Sequence, residues 1–191
     1  MRRNMKHEDS LNPMTFIKAL SHNALLRILV ELCKDKDLAE RIMAMARGIL
    51  SEVNADEIAV EVFRSLNAIQ VEDLWDSSGK TRSGYRDATD VGYEMVGDAL
   101  YQFSSRMNQY RNLGMKAEEK ECCKGILSGL LKYGEQGSNE FRDWVPDDPY
   151  TYAEDILDEW KKDNTAEDIE EVQMVYDSCF SEEGYGEEES G

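Results

Sequence analysis

Residues 90–134, DVGYEMVGDALYQFSSRMNQYRNLGMKAEEKECCKGILSGLLKYG, carry the strongest periodic pattern in the chain. In the first half Val96, Ala99, Leu100, Phe103, Met107, Tyr110 and Leu113 recur at three- and four-residue spacing, which lines one face of an α-helix. Gly114 follows the last of them, where a helix needs a left-handed C-terminal residue. A second helix then turns Cys123, Ile126, Leu127, Leu130 and Leu131 inward, and Gly134 is expected to end it in the same way. The product is an αα-hairpin, which cannot bury both stripes alone and so requires other helices around it. Phe103, at the middle of the first stripe, is expected in the core; Glu119 falls on the outer face of the second helix. Gly125 and Gly129 each cost about 1 kcal/mol relative to alanine inside a helix. Close approach of a neighbouring helix would compensate for that.

The flanking chain supplies those neighbours. Asn12 and Pro13 begin a short helix containing Phe16, Ile17 and Leu20. Ser21 caps a second, with Ala24, Leu25, Ile28, Leu29, Leu32 and Cys33 on its inward face. A third carries Leu38, Ile42, Met45, Ala46 and Ile49, and Asn54 caps a fourth with Ile58, Ala59, Val62, Phe63, Leu66 and Ile69 inward. Beyond the hairpin, Asn139 is placed to cap a short helix with Phe141, Trp144 and Val145. Pro149 opens a helix with Tyr152, Ile156, Leu157 and Trp160, and Thr165 with Asp168 forms a capping box before Ile169, Val172, Val175, Tyr176 and Cys179. No strand-like alternation interrupts this series. The expected fold is all-α: about eight helices in consecutive antiparallel hairpins, stacked as a short α-solenoid or closed into a bundle.

The periodicity breaks once, at residues 76–86, DSSGKTRSGYR. A loop of this length inside a helical domain is a functional segment or a long connection. Trp75, Arg82, Tyr85 and Arg86 make it the candidate partner-binding site of the chain. Thr81 and Ser83 do not fall in a GxxxxGK[ST] frame, which excludes a phosphate-cradling P-loop.

At 191 residues and 41% apolar content the chain can build one ordinary core, expected over residues 12–180. Residues 1–11 and the acidic tail 181–191 are expected to be disordered. The net charge of −18 is concentrated: half of the 40 acidic residues, but only Arg142, Lys161 and Lys162 among the basic ones, lie after residue 134. Such an end is read as a solvated face and disfavours nucleic acid, whose phosphates require lysine and arginine. No apolar run of membrane-spanning length and no signal-peptide h-region occurs, so a cytoplasmic location and no membrane association are expected. Cys33, Cys122, Cys123 and Cys179 contain no CxxC pair and are read as buried free thiols. Cys122 and Cys123 are adjacent on a helix and point about 100° apart.

The Leu113-Gly114 pair, Ala117 and the aliphatic second helix resemble a degenerate tetratricopeptide-type unit. The hairpin has 45 residues instead of that family's 34 and lacks the tyrosine expected after Gly114. More broadly, LSHNALLRILVELCKDKDLAERIMA, an aromatic loop and then this hairpin are similar to the helical-repeat region downstream of the zinc finger in SWIM-type proteins, over roughly residues 20–134. The finger's own Cys and His ligands are absent, so the resemblance implies a helical scaffold and no zinc or DNA role.

Two functions of different class follow. The first is a non-enzymatic helical-repeat scaffold that binds a protein partner, with homo-oligomerisation left open and no cofactor. The alternative is a metal-dependent all-α hydrolase of small phosphorylated substrates, in which carboxylates one turn apart hold Mg²⁺. Its candidate pairs are Glu118 with Glu121, Asp155 with Asp158, and Glu167 with Glu170. His7 and His22 leave no serine or cysteine with a base near it in sequence, so nucleophilic catalysis has no supporting motif.

Overall fold

The computed structural model describes residues 12–81 and 84–180. The expected disordered segments 1–11 and 181–191 lie outside the described residues, as does Arg82. The fold is all-α, with ten helices among the described residues and one two-stranded β-hairpin. The contacts group the chain into two compact units, Met1–Glu52 and Val53–Gly191.

The first unit contains α1 (Pro13–Ala19), α2 (His22–Leu32) and α3 (Lys36–Leu50). Its starts follow capping chemistry. Asn12 Oδ1 accepts the Met14 N–H at 2.9 Å ahead of Pro13, Ser21 Oγ accepts the Ala24 N–H at 3.3 Å, and Asp35 Oδ1 accepts the amides of Asp37 and Leu38 at 3.0 Å. The inward faces expected for these helices are only partly covered: Leu20, Ala24, Leu25, Leu38 and Ile42 are half-buried. No residue of α1, α2 or α3 is buried, and Phe16, Ile28, Leu29, Met45 and Ile49 are exposed. Cys33 is likewise an exposed thiol, contrary to expectation.

The second unit is built around one helix. Its elements are α4 (Ala55–Asn67), α5 (Val71–Ser77), β1 (Gly79–Thr81), β2 (Gly84–Arg86), α6 (Ala88–Asn112), α7 (Lys116–Gln136), α8 (Glu140–Trp144), α9 (Asp148–Lys161) and α10 (Ala166–Phe180). Helices α4, α6, α9 and α10 all pack on α7. A helix packed by four neighbours is buried on more than one face, while Lys116 and Lys132 stay exposed. That is why Cys122 and Cys123, pointing in different directions, are both fully buried beside Ile126, Leu127, Leu130 and Leu131. Burial pushes the Cys122 thiol up to about 11 and the Cys123 thiol higher still, which keeps both protonated and unreactive. In a solenoid each hairpin touches only its neighbours. Here one helix serves four, the packing of a closed bundle.

Gly114 adopts φ +67° and closes the α6–α7 turn as expected. Gly134 does not end α7. It lies inside the helix, where a Cβ would come within 2.6 Å of the Tyr150 ring, and the helix continues to Gln136. Gly125 and Gly129 mark the line where α4 crosses α7. A Cβ on Gly125 would stand 2.7 Å from the Ala55 carbonyl oxygen, and one on Gly129 would stand 2.6 Å from Val62 Cβ and 2.8 Å from the Ala59 carbonyl oxygen. These contacts are to backbone and branched carbons, which cannot swing aside. Gly129→Ala is therefore expected to destabilise the protein by about 1–3 kcal/mol through overpacking, against the ~1 kcal/mol that alanine gains in an open helix. A denaturant melt of the variant checks the sign; a more stable Gly129→Ala protein would mean that α4 and α7 do not meet at this distance.

Asn139 is not the side-chain cap expected of it. Its Nδ2 donates to the carbonyls of Leu66 at 3.1 Å and Ile69 at 3.0 Å, and its Oδ1 accepts the Tyr133 hydroxyl at 2.7 Å. The side chain thus ties the last turn of α4 and the connection after it to α7.

Candidate functional site

The segment expected as an irregular loop is partly ordered as a hairpin. Strands β1 and β2 pair antiparallel in the register Gly79 with Arg86, Lys80 with Tyr85 and Thr81 with Gly84. Gly79 and Gly84 sit at φ +82° and +136°, values that a side chain would strain. Helix α5 leads into this hairpin and anchors it through buried Val71 and Leu74. Those two residues, three apart, take the inward face, and Trp75 is left at its edge.

Helix α8 repeats that arrangement. Phe141 and Val145, four apart, are buried, and Trp144 stands beside them half in solvent. The two tryptophans meet edge to face, with ring centroids 5.9 Å apart and planes at 84°. Trp75 is 49% exposed and Trp144 52%. Tyr85, on the adjoining strand, is 77% exposed. Of the residues picked from sequence, Trp75 belongs to this aromatic pair and Tyr85 is exposed on β2. Arg86 is committed to an ion pair with Glu94 of α6, and Arg82 lies outside the described residues. Trp144 is the member that sequence reading missed, since the sequence places it only within a short helix with Phe141 and Val145. The signal lay in the Phe141 and Val145 spacing, which claims the inward face and leaves Trp144 off it.

The carboxylate pairs of the hydrolase reading are not brought together. Among the described residues no three His, Cys, Asp or Glu side chains gather as a metal site. Glu121 pairs with Lys124 at 3.0 Å, Asp158 with Lys161 at 3.4 Å, and Asp155 Oδ2 accepts the Tyr93 hydroxyl at 2.6 Å. Part of the acidic C-terminal charge is also used internally. Asp168 and Glu171 on α10 pair with Lys120 of α7 at 3.0 and 2.5 Å, and Glu171 pairs with Lys124 as well.

One carboxylate is buried without a partner. Asp148, at the start of α9, has no hydrogen bond at Oδ2 and lies under Gly92 of α6. Burial, reinforced by the neighbouring charge of Asp147, pushes it from 3.8 up to about 6. A raised carboxyl means that the folded protein holds the proton more tightly than the unfolded chain does. Its contribution to stability is full in acid and is lost as pH rises through about 6. Asp148→Asn removes the charge, so it is expected to match the parent near pH 4 and to exceed it at pH 7 by roughly 1–3 kcal/mol, at about 1.4 kcal/mol per pH unit. Paired melts across that range check this; a constant difference at every pH would show that Asp148 titrates normally.

Comparison with protein-family models, with curated proteins and with solved structures finds no match to the chain. Among the described residues no helix is long and apolar enough to cross a membrane.

Proposed function

We propose that the chain is a non-enzymatic helical scaffold that binds another protein through the surface formed by Trp75, Trp144 and Tyr85. One observation carries this reading: two tryptophans from different helices are placed side by side, each half in water, above a rigid body whose third tryptophan, Trp160, is fully buried. Large aromatic side chains gain free energy by burial and lose little conformational entropy when fixed, which makes tryptophan and tyrosine the usual anchors of protein interfaces. The surface is carried on α5, the hairpin and α8, held in place by Val71, Leu74, Phe141 and Val145. The body beneath it therefore does not have to rearrange for a partner to dock. A net charge of −18 argues against a nucleic acid as the partner.

Photocrosslinking tests this reading. A benzoylphenylalanine is placed at residue 75 or 144, and a third version carries it at Tyr101, an exposed aromatic on α6. Exposed to native extract and irradiated, the first two should give adducts with the same protein, which the third should not give. No adduct at 75 and 144, or one pattern at all three positions, removes the assignment.

A further inference from the structure

The first unit exposes apolar surface on a scale that a folded protein does not leave in water. Eleven large apolar side chains of Met1–Glu52 are exposed, among them Leu26, Ile28, Leu29 and Val30 on α2 and Met45 and Ile49 on α3. They are spread over α1, α2 and α3, and exposed apolar surface of this kind marks an interaction site when it is contiguous.

We propose that this face is covered by a second copy of the chain, α2 and α3 of each protomer pairing with their two-fold equivalents as a four-helix bundle. Three features of the unit select this occupant. The stripe on α3 is Leu38, Ile42, Met45 and Ile49, the first two half-buried and the last two exposed, spaced four, three and four, the seam of a left-handed helix pair. About its midpoint between residues 43 and 44 the stripe is its own mirror in sequence: Leu38 maps onto Ile49 and Ile42 onto Met45. An antiparallel second α3 therefore meets it apolar residue for apolar residue, as an isologous interface demands. Ala39 and Ala46, one heptad apart beside the seam, leave room for that helix to come close.

Charge is the second selection and the third is element number. Residues 12–52 contain six basic and five acidic side chains in a chain of net charge −18. Two copies repel one another over most of their surface, and this unit is where they can meet without that penalty. A strongly charged partner, by contrast, would find no complementary field here. Two helices per protomer then give four around one core, the smallest arrangement that encloses the apolar faces of α2 and α3.

Sedimentation equilibrium of the full chain tests the proposal, with Met45→Glu/Ile49→Glu as the variant. Both residues are largely exposed, at 68% and 73%, so the substitutions remove little packing within the chain. The parent should sediment at twice the 21.9 kDa chain mass in the tens-of-micromolar range, and the variant at half the parent's value with the melting of the second unit unchanged. A parent that stays monomeric at every concentration overturns the proposal. So does a variant that remains dimeric, which would place the contact elsewhere. Because Trp75 and Trp144 lie in the other unit, their replacement should leave the sedimentation result as it is.

Discussion

Glu119→Ala is expected to lower stability by about 3–5 kcal/mol, the usual result of removing one member of a buried ion pair. Glu119 is 0% exposed, at the start of α7. Its Oε1 accepts the Arg111 Nε–H at 2.8 Å from the end of α6, and Lys116 Nζ stands 3.2 Å from its Oε2. Asp163, from the turn between α9 and α10, comes within 3.8 Å of Arg111. Without the glutamate, Arg111 keeps only that long contact, and its Nη2 is already buried without a hydrogen bond. The loss therefore comes from a stranded charge more than from a missing contact. Glu119→Gln, which retains an acceptor for Arg111, should recover part of it. Urea melts of the three proteins decide the matter. A Glu119→Ala loss within ~0.5 kcal/mol, the range of ordinary surface substitutions, would show that the side chain is solvated.

Phe103→Ala should cost a similar amount by a different route. The ring is 4% exposed on the face of α6 turned to α7, with Leu100 and Met107 buried on either side, and truncating such a residue costs about 3–5 kcal/mol in transfer free energy and residual cavity. That is a large part of the ~5–15 kcal/mol that a domain has. A small loss at Phe103 in a melt would mean that the contact between α6 and α7 is loose.

The two residues mark what could be read from the sequence and what could not. Phe103 lies on a stripe, and stripes specify which residues meet an apolar neighbour. The stripes located the helices, the turn at Gly114 and the close approach recorded by Gly125 and Gly129. Glu119 falls on the outer face by periodicity, which has no means of announcing that Arg111 from the end of α6 and Lys116 of α7 meet at its carboxylate, with Asp163 of the α9–α10 turn beside Arg111. Cys122 is buried as expected of a free thiol, although it lies off the stripe of Cys123, because α7 packs on more than one side. In the first unit the reading erred the other way. Phe16, Leu29 and Ile49 sit on good helical stripes and are exposed, since periodicity shows that a face is apolar and not whether the same chain covers it. At the candidate site Trp75 and Tyr85 stood out by their place beside the break in periodicity. Trp144 was hidden in a short helix, and its pairing with Trp75 is a tertiary fact.

The assignment of the aromatic surface is tested most directly by capture from native extract with Trp75→Ala/Trp144→Ala in place of the parent chain. Stability has to be held in view, because an edge-to-face pair contributes about 0.5–1.5 kcal/mol beyond its area; the double variant should therefore melt slightly below the parent and stay folded. The proteins that crosslink at residues 75 and 144 should then be lost from the captured set. Their retention at undiminished yield by a folded chain lacking both rings would contradict the account.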